Sequence, residues 1–269
     1  MISEDKFSMS KHIINKSLEF GASLAGIVNI EELKKSPSHD ISTRIADFEG
    51  VGTKDVEGRK CGEVKWIDNT KSGVVIAVEH PKKKPELDWW TKGLNGGTKG
   101  NKKLISIFSK LADWIEENTR IKCIKLAYNI EHGAVYMKDA AVLGGIGCIG
   151  KNNIIITRKF GPNIRLRVML FDIDLPSTGT LDFDPCIGCE EYCKQACPQN
   201  AFDTKLYTES EFGLKQLPSR SGCYNRFQCN VQMEKDIKNA RSVIIQNGKS
   251  KSQEVRYCRR CEIACPIGK

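Results

Sequence analysis

The residues best placed to do chemistry are cysteines in two echoing runs. One is Cys186-x2-Cys189-x3-Cys193-x3-Cys197-Pro198; the other is Cys258-x2-Cys261-x3-Cys265-Pro266, with Cys223 and Cys229 upstream of it. Thiolates at such spacings ligate soft metal centres. An x2 spacing lets a tight loop present two sulfurs to one cluster, and a terminal Cys-Pro marks where the chain leaves it. In two-cluster ferredoxins the fourth cysteine of each run serves the other cluster. By that rule Cys186, Cys189, Cys193 and Cys265 hold one [4Fe-4S] cluster. Cys197, Cys258, Cys261 and either Cys223 or Cys229 hold the second. Two departures stand out: the x3 between Cys189 and Cys193, and the missing near cysteine of the second run. Paired Cys-x2-Cys also builds structural zinc sites, but two Cys-x3-Cys-Pro endings with crossed ligand counts favour iron–sulfur. Cys61, Cys123 and Cys148 lie outside the set and read as small core residues.

A second candidate is the loop Gly144-Gly-Ile-Gly-Cys-Ile-Gly-Lys-Asn152. It contains G-x-G-x-x-G and most of a P-loop, yet both motifs require strand, loop and helix in that order. Here the pattern predicts a helix before the loop, over 134–143, and a strand after it, over 153–157. Asn152 also replaces the Ser or Thr that would ligate magnesium. Two uses of these glycines remain. They permit close backbone approach to something flat or bulky, or they make a tight helix-to-strand turn packed on another segment.

The elements that must position these residues alternate in type. Phe7, Ile13, Ile14, Leu18 and Phe20 predict a helix over 5–20, ended at Gly21. Strands are predicted over 23–30, 73–78, 121–128, 154–157 and 164–170, and a second amphipathic helix over 102–118. Residues 36–70 read as a long irregular excursion. The segment 81–100 holds Trp89 and Trp90, which either line a pocket or anchor the loop to the core. A mixed α/β domain thus ends near residue 180. Residues 181–269 hold nine of the twelve cysteines and little apolar pattern, so metal centres must organise them.

The bulk properties narrow the setting. No apolar stretch reaches the roughly eighteen residues of a membrane span, and Met1–Lys11 carries no signal region or twin-arginine pair. A cytoplasmic, low-oxygen location with reduced thiols is expected. The net charge of +9 is concentrated in 81–84 and 92–103. That basic face fits RNA, an acidic redox protein or an anionic cofactor, or is a solvated lysine-rich surface.

The stretch Lys138–Asn153, then Phe160-Gly161-Pro162 and Arg165–Leu175, followed by the paired cysteine runs, resembles epoxyqueuosine reductase and, more distantly, the reductive dehalogenases. The resemblance covers roughly residues 120–269. It implies an α+β fold: a nitroreductase-like domain over 1–180 that binds cobalamin, then a ferredoxin-like double [4Fe-4S] domain over 181–269. It places Gly145, Gly147, Cys148, Gly150, Lys151 and Asn152 at the cofactor. On an ungapped count from Gly150-Lys151, Glu131 falls at the family's catalytic aspartate, and its neighbours Tyr128 and His132 are further proton-donor candidates. The family's upstream cluster cysteine lies close before its next one, an interval that Cys229 fits better than Cys223.

Departures shape the expected function. Cys148 stands where the family usually has tryptophan, and Ile130, His132 and Gly133 do not repeat the local motif. The chain ends just after Pro266, without the helical repeats that help the family hold tRNA. The expectation is therefore a cobalamin-dependent iron–sulfur reductase of a small molecule or nucleoside, fed by a low-potential donor such as ferredoxin or flavodoxin. The alternatives are a non-catalytic electron-transfer protein serving a corrinoid protein, and epoxyqueuosine reduction on tRNA. None involves a membrane.

Overall fold

The computed structural model describes residues 5–45, 58–94, 96–245 and 250–268. The chain opens with α1 (Lys6–Glu19), β1 (Leu24–Asn29), α2 (Ile30–Lys34) and α3 (Pro37–Ile41). Then come β2 (Ser72–Glu79), β3 (Trp90–Thr91), α4 (Lys99–Asn118), β4 (Cys123–Lys125), α5 (Met137–Leu143), the short strands β5 (Cys148–Ile149) and β6 (Ile155–Ile156), and β7 (Ile164–Phe171). Part of the long excursion, residues 46–57, lies outside the described residues, as do residues 1–4 of the N-terminal stretch.

The central sheet runs β1-β2-β7-β4, and every pairing in it is antiparallel. Alternation along β2 explains why its apolar run is continuous. Val74, Ile76 and Val78 pack with α1 and α4 on one face. Val75 and Ala77 pack with α2 and α5 on the other. On α4 the buried positions Leu104, Ile107, Phe108, Leu111 and Ile115 recur at helical spacing, and the Thr98 hydroxyl caps its first turn by accepting from Asn101 N at 3.0 Å.

Three predicted elements are shorter than their patterns. The strand predicted over 154–157 is only β6. The strand predicted over 121–128 survives as β4 alone. The helix predicted over 134–143 begins only at Met137, because a tight turn over Ile130–His132 ends at Gly133 with φ 97°. Helix α5 is then held by a buried carboxylate. Asp139 accepts from Ser36 Oγ at 2.7 Å, Ser38 N at 2.7 Å and Ser38 Oγ at 2.6 Å, which ties α3 to α5.

The C-terminal half carries α6 (Tyr192–Gln195), α7 (Glu209–Phe212), α8 (Arg226–Lys238), β8 (Arg241–Ile245), β9 (Ser250–Val255) and α9 (Arg260–Ala264). Helix α6 packs on α9, which brings the two cysteine runs together. The halves are stitched across residue 180 at several points. Strand β3 joins the β9–β8 hairpin in one sheet. Ile41 packs with Phe212 and Leu217. Within the first half, the hydroxyls of Ser177 and Thr178 accept from Asn29 N and Ile27 N, both at 2.8 Å. Among the described residues no helix is long and apolar enough to cross a membrane.

Candidate functional site

The thiols gather in two groups of four. Cys186, Cys189, Cys193 and Cys265 surround one small cavity, together with Lys151, Asn152 and Glu191. Burial, and then the neighbouring thiols Cys186, Cys265 and Cys189, push the Cys193 thiol up to about 11. The second group is visible around Cys261, whose thiol is raised by burial first and then by Cys258, Cys229 and Cys197. Cys229 also neighbours Cys258. Cys223 Sγ lies 3.9 Å from Ser221 O. Thiols crowded this way resist ionisation on their own, and a bound cation reverses that balance by stabilising thiolate. Among the described residues no three cysteine, histidine or carboxylate side chains converge as they would on a single metal ion; the grouped thiols are soft donors of the kind that thiolate-ligated clusters use.

A buried ion network holds the second group against the sheet. Arg165 Nε sits 2.8 Å from Asp88 Oδ1, and Arg165 Nη2 lies 3.0 Å from Glu262 Oε2. Arg259 bridges the same two carboxylates. His80 Nδ1 lies 2.7 Å from Asp88 Oδ1. Glu262 and Arg259 flank Cys261, while Asp88 and Arg165 belong to the sheet domain, so the cysteine loop is docked by charge pairs that satisfy one another.

Beside the thiols is a cavity of about 1330 Å³. Ordinary small-molecule pockets hold about 300–1,000 Å³, so this one has room for a large cofactor and a substrate. Its position follows from strand lengths. Strand β4 pairs only with Met169–Phe171, and the cavity lies against the first half of β7, where Ile164, Arg165, Leu166 and Arg167 line it. Trp90, Tyr128, His132, Lys138, Gly147 and Cys148 also form its wall, and Cys258 of the second thiol group borders it. Cys148 neighbours Cys186 as well, and burial pushes its thiol up to about 11.

The sequence candidates are distributed unevenly around this cavity. Tyr128 and His132 line it. Glu131 is not among the described lining residues; its carbonyl oxygen accepts from Arg59 Nη2 at 2.8 Å. Of the glycine loop, Gly147 and Cys148 face the cavity. Lys151 turns to the first thiol group and pairs with Glu191 at 2.7 Å, and Asn152 Nδ2 lies 3.4 Å from Cys261 O. The glycines serve packing within the protein: a Cβ on Gly147 would lie 2.2 Å from Ile156 O, and one on Gly26 would lie 1.8 Å from Gly144 O. Gly145 takes φ 66°. The two tryptophans divide the roles the sequence left open. Trp90 lines the cavity, and Trp89 stacks under the Arg256 guanidinium at 3.5 Å.

Three cavity residues were missed by the sequence reading. Burial lowers the Lys138 ammonium to about 8 against the opposing pull of Asp139, and its Nζ donates to Asn153 O at 2.9 Å. Arg165 and Arg167 are the others. Their signal was present, since two arginines at i and i+2 in Ile164-Arg-Leu-Arg-Val168 must share one face of an otherwise apolar strand.

No family model matches the chain. In sequence it is similar to two curated epoxyqueuosine reductases. One, from Pseudomonas aeruginosa, is 33% identical over 73 residues, which is 27% of this chain and 20% of that protein. The other, from Cyclobacterium marinum, is 31% identical over 88 residues, which is 30% of this chain and 28% of that protein. The matched stretches thus span less than a third of those relatives. In fold it is similar to an epoxyqueuosine reductase solved with an epoxyqueuosine-modified tRNA stem loop (TM-score 0.63, 17% identity, 98% of this chain and 66% of that one). A reductive dehalogenase whose structure suggests a mechanism for B12-dependent dehalogenation is also similar (TM-score 0.60, 14% identity, 99% of this chain and 33% of that one). The chain is a relative of these reductases in fold and, over part of its length, in sequence.

Proposed function

We propose that this chain is an iron–sulfur oxidoreductase in which eight cysteines hold two [4Fe-4S] clusters and the large cavity takes cobalamin with a small-molecule or nucleoside substrate. One observation carries the reading: the 1330 Å³ cavity borders the second thiol group at Cys258 and is lined by Cys148, which neighbours Cys186 of the first group. A cavity of that size beside two thiolate-rich centres is what an electron-fed reductase requires. The ligands are Cys186, Cys189, Cys193 and Cys265 for one cluster, and Cys197, Cys229, Cys258 and Cys261 for the other. Cobalamin, when bound, supplies a metal that accepts the clusters' electrons and reduces substrate.

The chain's own residues bind, orient and protonate. The β7 arginines and Trp90 line the cavity. Tyr128 and His132 each offer a proton at its wall, Tyr128 through the phenolic hydroxyl and His132 through an imidazole nitrogen. Glu131, the third candidate acid, is not among the described lining residues. A soluble low-potential carrier such as ferredoxin or flavodoxin is the natural class of donor.

Metal analysis of anaerobically prepared protein tests this. About eight irons per chain are expected, together with cobalt uptake after incubation with cobalamin. Cys229→Ser lowers the iron toward one cluster, and Cys223→Ser leaves it unchanged. Protein that keeps its iron but takes up no cobalt would reject the cobalamin site and leave an electron-transfer protein.

A second reading, epoxyqueuosine reduction on tRNA, is favoured by the sequence similarity to the two curated reductases. Turnover of epoxyqueuosine-containing tRNA by cobalamin-loaded protein would establish it; an inert tRNA would leave the small-molecule reading.

A further inference from the structure

The cations around the large cavity are not equivalent. Arg165 and Arg259 are both closed by Asp88 and Glu262. Arg220 is closed by Asp184. Lys138 donates to a backbone carbonyl with Asp139 beside it. Arg226 also lines the cavity and donates from Nη1 to the Tyr224 hydroxyl at 3.2 Å. Arg167 differs from the ion-paired arginines. It is 8% exposed, yet its guanidinium meets only neutral oxygens: Asn101 Oδ1 at 3.1 Å and Leu126 O at 2.7 Å. Among the described residues no carboxylate forms an ion pair with it, and burial lowers its affinity for its proton with only Tyr128 acting in opposition.

A buried charge without a counter-charge is costly, and it persists where a ligand completes it. A guanidinium has five N–H donors in a planar fork. Arg167 commits two nitrogens to fixed oxygens that orient the fork, and its side chain lines the cavity. Planar forks of this kind pair with carboxylate or phosphate oxygens.

We infer that Arg167 is the anchor for an oxyanion, a carboxylate or a phosphate, carried by a molecule that enters the large cavity. Such an anion sits beside the Tyr128 hydroxyl, which neighbours both Arg167 and Arg165. The anchor thereby sets which end of the ligand faces the proton donors at the wall. The anion has two chemical sources, a group on the substrate or the nucleotide phosphate of a corrinoid. The inference rests on the cavity being a ligand site, and it stands whether or not cobalamin is the cofactor.

The first arm uses the unaltered, cluster-loaded protein. Benzoate and its neutral counterpart benzyl alcohol are compared by thermal shift, with inorganic phosphate as a second anion. Benzoate, phosphate or both must stabilise the protein more than benzyl alcohol does, because ligand binding to the native state raises its stability. In the second arm Arg167→Gln weakens the anion about tenfold to a hundredfold, and Arg167→Lys weakens it less. Uptake of cobalamin and of cobinamide, which lacks the nucleotide phosphate, separates the sources. A loss by Arg167→Gln confined to cobalamin assigns Arg167 to the cofactor phosphate; intact uptake of both with weakened benzoate or phosphate assigns it to the substrate. Equal shifts with benzoate, phosphate and benzyl alcohol would overturn the inference. So would anion binding that Arg167→Gln leaves unchanged. Cobalt uptake by the unaltered protein is read separately, so failure of the cobalamin reading is distinguishable from failure of this one.

Discussion

Lys138 shows how position in the fold changes an ordinary side chain. Burial in the cavity wall lowers its ammonium to about 8, so the native state disfavours the proton that an unfolded lysine keeps to about 10.4. Between those values the unfolded chain binds more protons, and stability rises with pH. Below about 8 the full penalty is present. Wild-type protein should therefore gain stability relative to Lys138→Met as pH is raised from about 8 toward the ordinary lysine range, read from denaturant midpoints. Parallel profiles would contradict a desolvated lysine. The sequence concealed this residue because a lysine in the first turn of a helix normally reaches solvent. The cysteines were legible because ligand spacing is a local property of the chain. The sequence left Cys223 and Cys229 open and preferred Cys229 only by resemblance; the fold adds that Cys229 neighbours Cys258.

Helix α5 is the element on which the cavity depends. It carries Lys138 toward the cavity and Asp139 toward α3, and its end crosses β1 where Gly26 meets Gly144 O. Serine neighbours and His39 hold the Asp139 carboxyl below its usual range against strong desolvation, so its contribution is present above the ordinary aspartate range and is lost as pH falls below it. Asp139→Ala leaves Ser38 N and Ser38 Oγ without their acceptor, while Ser36 Oγ keeps Leu33 O at 2.7 Å. A loss of about 3 kcal/mol is expected, at roughly 1–3 kcal/mol for each buried group left unpaired. Hydrogen exchange should quicken over 36–41; unchanged protection there would sink the idea that Asp139 fastens α3. Apolar periodicity revealed α4 and β2 in the sequence because each buries a full stripe or face. It overestimated β4 and α5, where Gly133 and the edge of the sheet interrupt patterns that continue in composition.

At the scale of the molecule, one half is held by a hydrophobic sandwich and the other by side-chain chemistry. Both faces of the central sheet are packed with buried aliphatic residues. Beyond residue 180 the buried apolar positions among the described residues are few, chiefly Ala201, Phe202, Phe212, Leu217 and Val255 with Cys186 and Cys265. On the proposed reading, a half so poor in core depends on its bound clusters to stay folded. Anaerobic removal of iron by a chelator should open residues 181–268 to amide exchange while β2 and β7 stay protected. Equal protection of both halves without iron would show that the seams at β3–β9 and Ile41 suffice. Composition and spacing alone determined that two cysteine-rich centres follow an α/β domain, because burial stripes and ligand spacings are written over short stretches of chain. Only the tertiary structure decided that the two halves share seams, that the glycine loop packs mainly on its own protein, and that Arg167 stands in a cavity wall with no carboxylate paired to it among the described residues. Those facts depend on which distant segments meet, and partners such as Leu126, Asn101, Asp88 and Glu262 are far apart in the chain.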